Sequence, residues 1–132
     1  MTPEGRKERA LEFLRLMDCK DPDATRALVT DDFEYELVWS RPGATPIRGR
    51  ENFVDVAGAF FAQMFPGGLR FRFLSAVAEG DQVAVQAESE AVAFNGKPYR
   101  NRYHYYFRFC GDKIALGREY CDSNYAARVL LS

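Results

Sequence analysis

The sequence predicts an α+β fold, with early helices laid against a curved, mostly antiparallel sheet. Two observations predict it. Apolar residues recur at helical spacing up to about residue 65, and the period then switches to two across residues 69–121, broken by glycine-containing turns. Thr2 can cap a first helix with Pro3 at its first position, followed by Ala10, Phe13, Leu14 and Met17. Asp21-Pro22-Asp23 opens a second, short helix with Ala24, Ala27 and Leu28 on its inner face. Phe33, Tyr35, Leu37 and Trp39 alternate as a strand, and Arg41 to Pro46 read as loop. A third helix is expected from about Arg50 to Phe65, with Phe53, Val56, Ala57, Phe60 and Met64 inward, and Pro66-Gly67-Gly68 ends it.

Four strands then follow: Leu69 to Glu79, Gln82 to Val92, Tyr99 to Cys110 and Lys113 to Cys121. Gly80-Asp81, Asn95-Gly96 and Gly111-Asp112 supply the turns between them. Asp122 can cap a short last helix carrying Tyr125, Ala126, Val129 and Leu130. The order is α-α-β-α-β-β-β-β-α, and 132 residues suit one domain, expected to span 1–132.

Composition removes whole classes of function. Hydrophobic residues make up 47% and charged ones 28%, an ordinary globular mixture. Eighteen basic against nineteen acidic residues leave no positive surplus for nucleic acid or an anionic membrane. No apolar run reaches a membrane span and the N-terminus is too polar for a signal peptide, so the expected location is cytoplasmic. Cys19, Cys110 and Cys121 are odd in number and widely spaced, and His104 is the only histidine. A disulfide framework or a zinc site is therefore not expected. Without a glycine-rich phosphate loop, no metal, nucleotide or flavin cofactor is expected either. Carboxylates, tyrosines and amides remain to do chemistry.

The strand Tyr99–Cys110 alternates clearly. Tyr99, Asn101, Tyr103, Tyr105, Phe107 and Phe109 share an inner face, and Arg100, Arg102, His104, Tyr106 and Arg108 an outer one. Buried hydroxyls and amides need partners, which a partly wet pocket supplies more easily than a dry core. On the next strand Ala115, Gly117, Glu119 and Cys121 share a face. Small residues beside large aromatics mark a cavity wall, which turns Glu119 toward the space. The phase of Gln82–Val92 has two readings. A two-residue turn at Asn95-Gly96 points Gln86, Glu88 and Glu90 inward, whereas hydrophobic parity buries Val83, Val85, Ala87 and Ser89; a bulge would reconcile them.

Gly49-Arg50-Glu51-Asn52-Phe53, Tyr99-x-Asn101-x-Tyr103, Asp112-Lys113-Ile114 and Arg118-Glu119-Tyr120-Cys121-Asp122 resemble the SnoaL-like branch of the nuclear-transport-factor-2-like superfamily. Ketosteroid isomerases, polyketide cyclases and limonene-type epoxide hydrolases belong to that group. The resemblance implies a cone-shaped barrel around an apolar cavity, and often a dimer through the outer face of the sheet. Residue by residue, much of the known machinery is missing. The helix-one tyrosine of a ketosteroid isomerase falls at Phe13, its carboxylic-acid donor at Tyr105, and its catalytic aspartate between Leu37 and Ser40, where no acid stands. The water-positioning tyrosine of an epoxide hydrolase matches Tyr35, but its asparagine falls at Leu37. Its last acid falls at Glu119, its first at Glu88 or Ser89, and its arginine at Gln86 or Ala87. The catalytic aspartate of the cyclases also falls at Glu119.

Glu119 is accordingly the expected catalytic acid or base, because an aromatic cavity should raise its pKa toward neutrality. Tyr103, Asn101, Tyr105, Tyr35, Trp39 and Glu88 are the expected substrate-binding residues. The expected chemistry is proton transfer on a small apolar carbonyl or epoxide compound, in a homodimer formed through Arg100, Arg102, His104, Tyr106 and Arg108. The competing reading is a non-catalytic ligand-binding or dimerisation module.

Overall fold

The computed structural model describes residues 1–38 and 45–131. In chain order these residues form α1 (Pro3–Arg15), α2 (Pro22–Leu28), β1 (Val29–Leu37), β2 (Ile47–Arg48), α3 (Arg50–Met64), β3 (Leu69–Glu79), β4 (Gln82–Val92), β5 (Pro98–Tyr99), β6 (Arg102–Cys110), β7 (Lys113–Cys121) and α4 (Ser123–Leu130). Most elements fall where the pattern put them. The short β2 is additional, and the single strand expected from Tyr99 to Cys110 is interrupted at Arg100-Asn101.

Local chemistry starts the helices. Thr2 accepts the Gly5 N–H at 3.0 Å, Asp21 the Ala24 N–H at 3.2 Å, and Asp122 the Tyr125 N–H at 3.0 Å. In α2 the buried position is Thr25, while Ala27 is exposed. The Thr25 hydroxyl donates to the Leu16 carbonyl at 3.3 Å, so a polar contact with the end of α1 sets the roll of this two-turn helix.

The strands form one curved sheet in the order β2-β1-β7-β6-β4-β3, with β5 pairing β4. All pairs are antiparallel except β1 with β7. The phase of β4 follows hydrophobic parity. Its hairpin to β5 closes with Ala93 opposite Lys97, so the loop holds Phe94, Asn95 and Gly96 rather than two residues. Gly96, at φ +82°, takes the left-handed conformation that such a loop needs. One extra loop residue moves the partner of Tyr103 from Glu88 to Ala87, and Val83, Val85, Ala87 and Ser89 turn inward. A bulge acts instead on β7, where the register slips at Ala115 and lets Ile114 join Gly117 on the inner side.

The core has two parts. The larger gathers α1, β1, α3 and the inner faces of β4, β6 and β7 around Phe13, whose ring lies 5.5 Å from those of Phe53 and Phe107 and 5.6 Å from Phe33. The smaller joins Phe65, Ala93 and Tyr99 to Ala126 and Val129 of α4. At the far end of the sheet, Arg6 of α1 donates to the carbonyls of Gly80 and Gly111, which sit in the β3–β4 and β6–β7 turns.

Candidate functional site

A cavity of about 130 Å³ lies between the two parts of the core. Tyr35, Phe53, Tyr103 and Tyr105 line it from the larger cluster, and Phe65, Tyr99, Ala126 and Leu130 from the smaller. Helices α3 and α4 cover different stretches of the sheet, and the space between them is left unfilled. Val56 and Phe60, expected as core, line this cavity and remain 42% and 39% exposed, which places them where it opens to solvent.

Glu119 faces this space from β7. Tyr35 Oη donates to its Oε1 at 2.6 Å, a short charge-assisted bond. The local sequence makes this possible. Tyr35 stands opposite Gly117 in the parallel β1–β7 pair, and Leu37 opposite Glu119. A Cβ on Gly117 would lie 2.9 Å from Tyr35 Cδ1, so only glycine lets the Tyr35 ring lie flat on β7 and reach Glu119. Tyr105 stands directly opposite Glu119 across β6–β7. Among the described lining residues, Glu119 carries the one formal charge.

Burial pushes the Tyr35 and Tyr105 hydroxyls well above the ordinary phenol pKa, with the negative charge of Glu119 as the next cause. Tyr103 moves the same way, again chiefly through burial. All three therefore stay protonated through the neutral range and keep a hydroxyl proton to donate. The Cys121 thiol, opposite Tyr103, is pushed up to about 12 by burial and then by Glu119, which keeps it in the unreactive protonated form.

The expected binding residues separate. Tyr35, Tyr103 and Tyr105 line the cavity with Glu119, and the Tyr103 hydroxyl meets Ser89 Oγ at 2.9 Å. Asn101 does not line it. Its amide donates to Tyr99 Oη at 2.8 Å and to the Asp122 carbonyl, and accepts from the Arg102 and Asp122 N–H groups. It braces the break between β5 and β6 against the start of α4. Glu88 does not reach the cavity either. The three-residue loop turns it to the outer face, where Arg72 binds it at 2.7 Å. Trp39 lies outside the described residues. Phe61, Phe65, Leu69 and Phe71 also line the cavity and were not anticipated. Phe61 follows Phe53 and Ala57 at four-residue spacing and Leu69 and Phe71 alternate inward along β3, so periodicity could have found all three.

Among the described residues, no three His, Cys, Asp or Glu side chains gather as a metal site would, and no helix is long and apolar enough to cross a membrane.

Solved structures share this architecture at low identity. An LEH-like epoxide hydrolase from M. tuberculosis is 20% identical, with a TM-score of 0.78 over 98% of this chain and 91% of its own. A putative SnoaL-like polyketide cyclase from Jannaschia sp. CCS1 is 19% identical, with a TM-score of 0.80 over 97% and 92%. A nuclear-transport-factor-2-like protein of unknown function from Burkholderia pseudomallei is 13% identical, with a TM-score of 0.83 over the full length of both chains. Among curated proteins, none matches. At these identities the neighbours establish the fold, and the family model settles membership: it matches residues 10–117, so the chain belongs to the SnoaL-like domain family.

Proposed function

We propose that the chain is a cofactor-independent acid/base enzyme that moves a proton on a small apolar carbonyl or epoxide compound, with Glu119 as the proton-transferring group. The observation that carries this reading is the 2.6 Å hydrogen bond from Tyr35 to Glu119 in the wall of an otherwise apolar cavity. An ionisable carboxylate held at a fixed angle beside apolar space is the arrangement that general acid/base catalysis needs. Tyr35 keeps its proton and orients the carboxylate. Tyr105 lines the cavity opposite Glu119, and burial keeps its hydroxyl protonated. It is placed to donate to a ligand oxygen as negative charge builds there. The mixed kinds of neighbour, epoxide hydrolase and polyketide cyclase, are consistent with this chemistry.

The test is a turnover screen of β,γ-unsaturated ketones and simple epoxides, followed by Glu119→Gln and Tyr35→Phe. Glu119→Gln is expected to abolish turnover while preserving fold and ligand affinity. Tyr35→Phe is expected to lower kcat about 10- to 100-fold. Unchanged turnover in Glu119→Gln ends the catalytic reading. Ligand binding with no turnover of any substrate points instead to a ligand-binding module.

The same proposal takes residues 1–132 as one functional unit, resident in the cytoplasm, where the thiols of Cys19, Cys110 and Cys121 stay reduced. It is a homodimer through the outer face of β6. Light scattering at micromolar concentration is expected to give twice the chain mass, and a monomer would refute the dimer.

A further inference from the structure

The cavity is small for a whole ligand. A hollow of roughly 150 Å³ takes a molecule the size of benzene, so about 130 Å³ seats a head of around six heavy atoms. Yet the cavity is open, and the groups at its opening are apolar. Val56 and Phe60 line it while remaining exposed, and they stand four residues apart on α3. Met64 continues the same row, half-buried at the end of the helix. Residues spaced by four share a helix face, and this row runs for about 12 Å at the α-helical rise. On the opposite side, Leu130 of α4 lines the cavity and the neighbouring Leu131 is 80% exposed. Isolated surface hydrophobics need no explanation, but an apolar row continuous with the lining of a cavity marks a path for a ligand.

We infer that the ligand is an amphipath. A compact, oxygen-bearing head sits at Glu119, and an unbranched apolar tail leaves through the opening and lies along the Val56–Phe60–Met64 row. This inference rests on the proposed function for where the head binds, and adds the tail. The occupant follows from continuity: nothing in the row selects a protein partner, whereas Val56 and Phe60 belong to the cavity lining, so a chain emerging past them stays on apolar surface.

The experiment measures Kd for a series of straight-chain methyl ketones from four to twelve carbons, by displacement of an environment-sensitive fluorophore. Full burial of a methylene is worth about fourfold in affinity, and a half-covering surface about twofold. Kd is expected to fall about fourfold per carbon while the cavity fills, then about twofold per carbon to the longest ketone. Met64→Ser, in the row but outside the cavity lining, is expected to flatten the second slope while leaving the first. A plateau in the wild type once the cavity is filled overturns the tail. So does an equal second slope in Met64→Ser, or a second slope that vanishes as protein concentration rises, which would assign the row to another copy of the chain. Failure of even the short ketones to bind would instead count against the ligand chemistry of the proposed function. Because only binding is read, loss of turnover in Glu119→Gln does not affect the outcome.

Discussion

Gly117 is the residue on which the geometry of Glu119 turns. Its missing side chain leaves the space that the Tyr35 ring occupies, and that ring carries the hydroxyl to Glu119. Gly117→Ala puts a methyl group 2.9 Å from Tyr35 Cδ1, closer than carbon atoms tolerate, with the Phe107 ring at 3.4 Å limiting escape on the other side. Overpacking of this kind costs about 1–3 kcal/mol. Gly117→Ala is therefore expected to lower the chemical-denaturation midpoint and, with it, turnover. The informative comparison is with Tyr35→Phe, which removes the same hydrogen bond without the clash. If Gly117→Ala retains both wild-type stability and wild-type turnover, the tyrosine has room the structure does not show. The sequence exposed half of this arrangement. Small residues beside aromatics marked a cavity wall, but the partner of Gly117 is a ring from a strand more than eighty residues earlier, joined through a parallel pairing that local periodicity does not encode.

At the scale of elements, the legible features were those written in neighbouring residues. Caps at Thr2, Asp21 and Asp122, turns at Gly80 and Gly111, and the bounds of β3, β4 and β7 follow from short-range chemistry. The features that escaped depend on one residue more or less. Asn95-Gly96 is a strong signal for a two-residue turn, yet the pairing of Ala93 with Lys97 makes the loop one residue longer. The burial of Val83, Val85 and Ala87 explains why the shorter loop loses: it would put three apolar side chains in water and glutamates in the core. Tertiary burial thus overrode a local turn preference, and with it went the expectation that Glu88 faces the cavity. Asn101 escaped for a related reason. Its inward parity was legible, but not its use of the whole amide on neighbouring chain at the start of α4.

For the molecule as a whole, four tyrosines set the alkaline limit of stability. Tyr35, Tyr99, Tyr103 and Tyr105 hold their protons more tightly in the folded state than in the unfolded chain, chiefly because burial disfavours the phenolate. Below about pH 10 both states keep these protons and the full stability is present. Above it the unfolded chain releases protons that the folded state retains, so stability falls as pH rises. The urea midpoint is expected to drop between pH 9 and pH 11, and Tyr105→Phe to show a shallower drop. A midpoint flat across that range would mean the phenols are not sequestered.

The two carbonyls held by Arg6 belong to turns that are more than thirty residues apart in the chain. A single guanidinium therefore fastens the tips of two separate hairpins to the first helix, at the end of the sheet away from the cavity. Replacing Arg6 with alanine would unclasp both hairpins together.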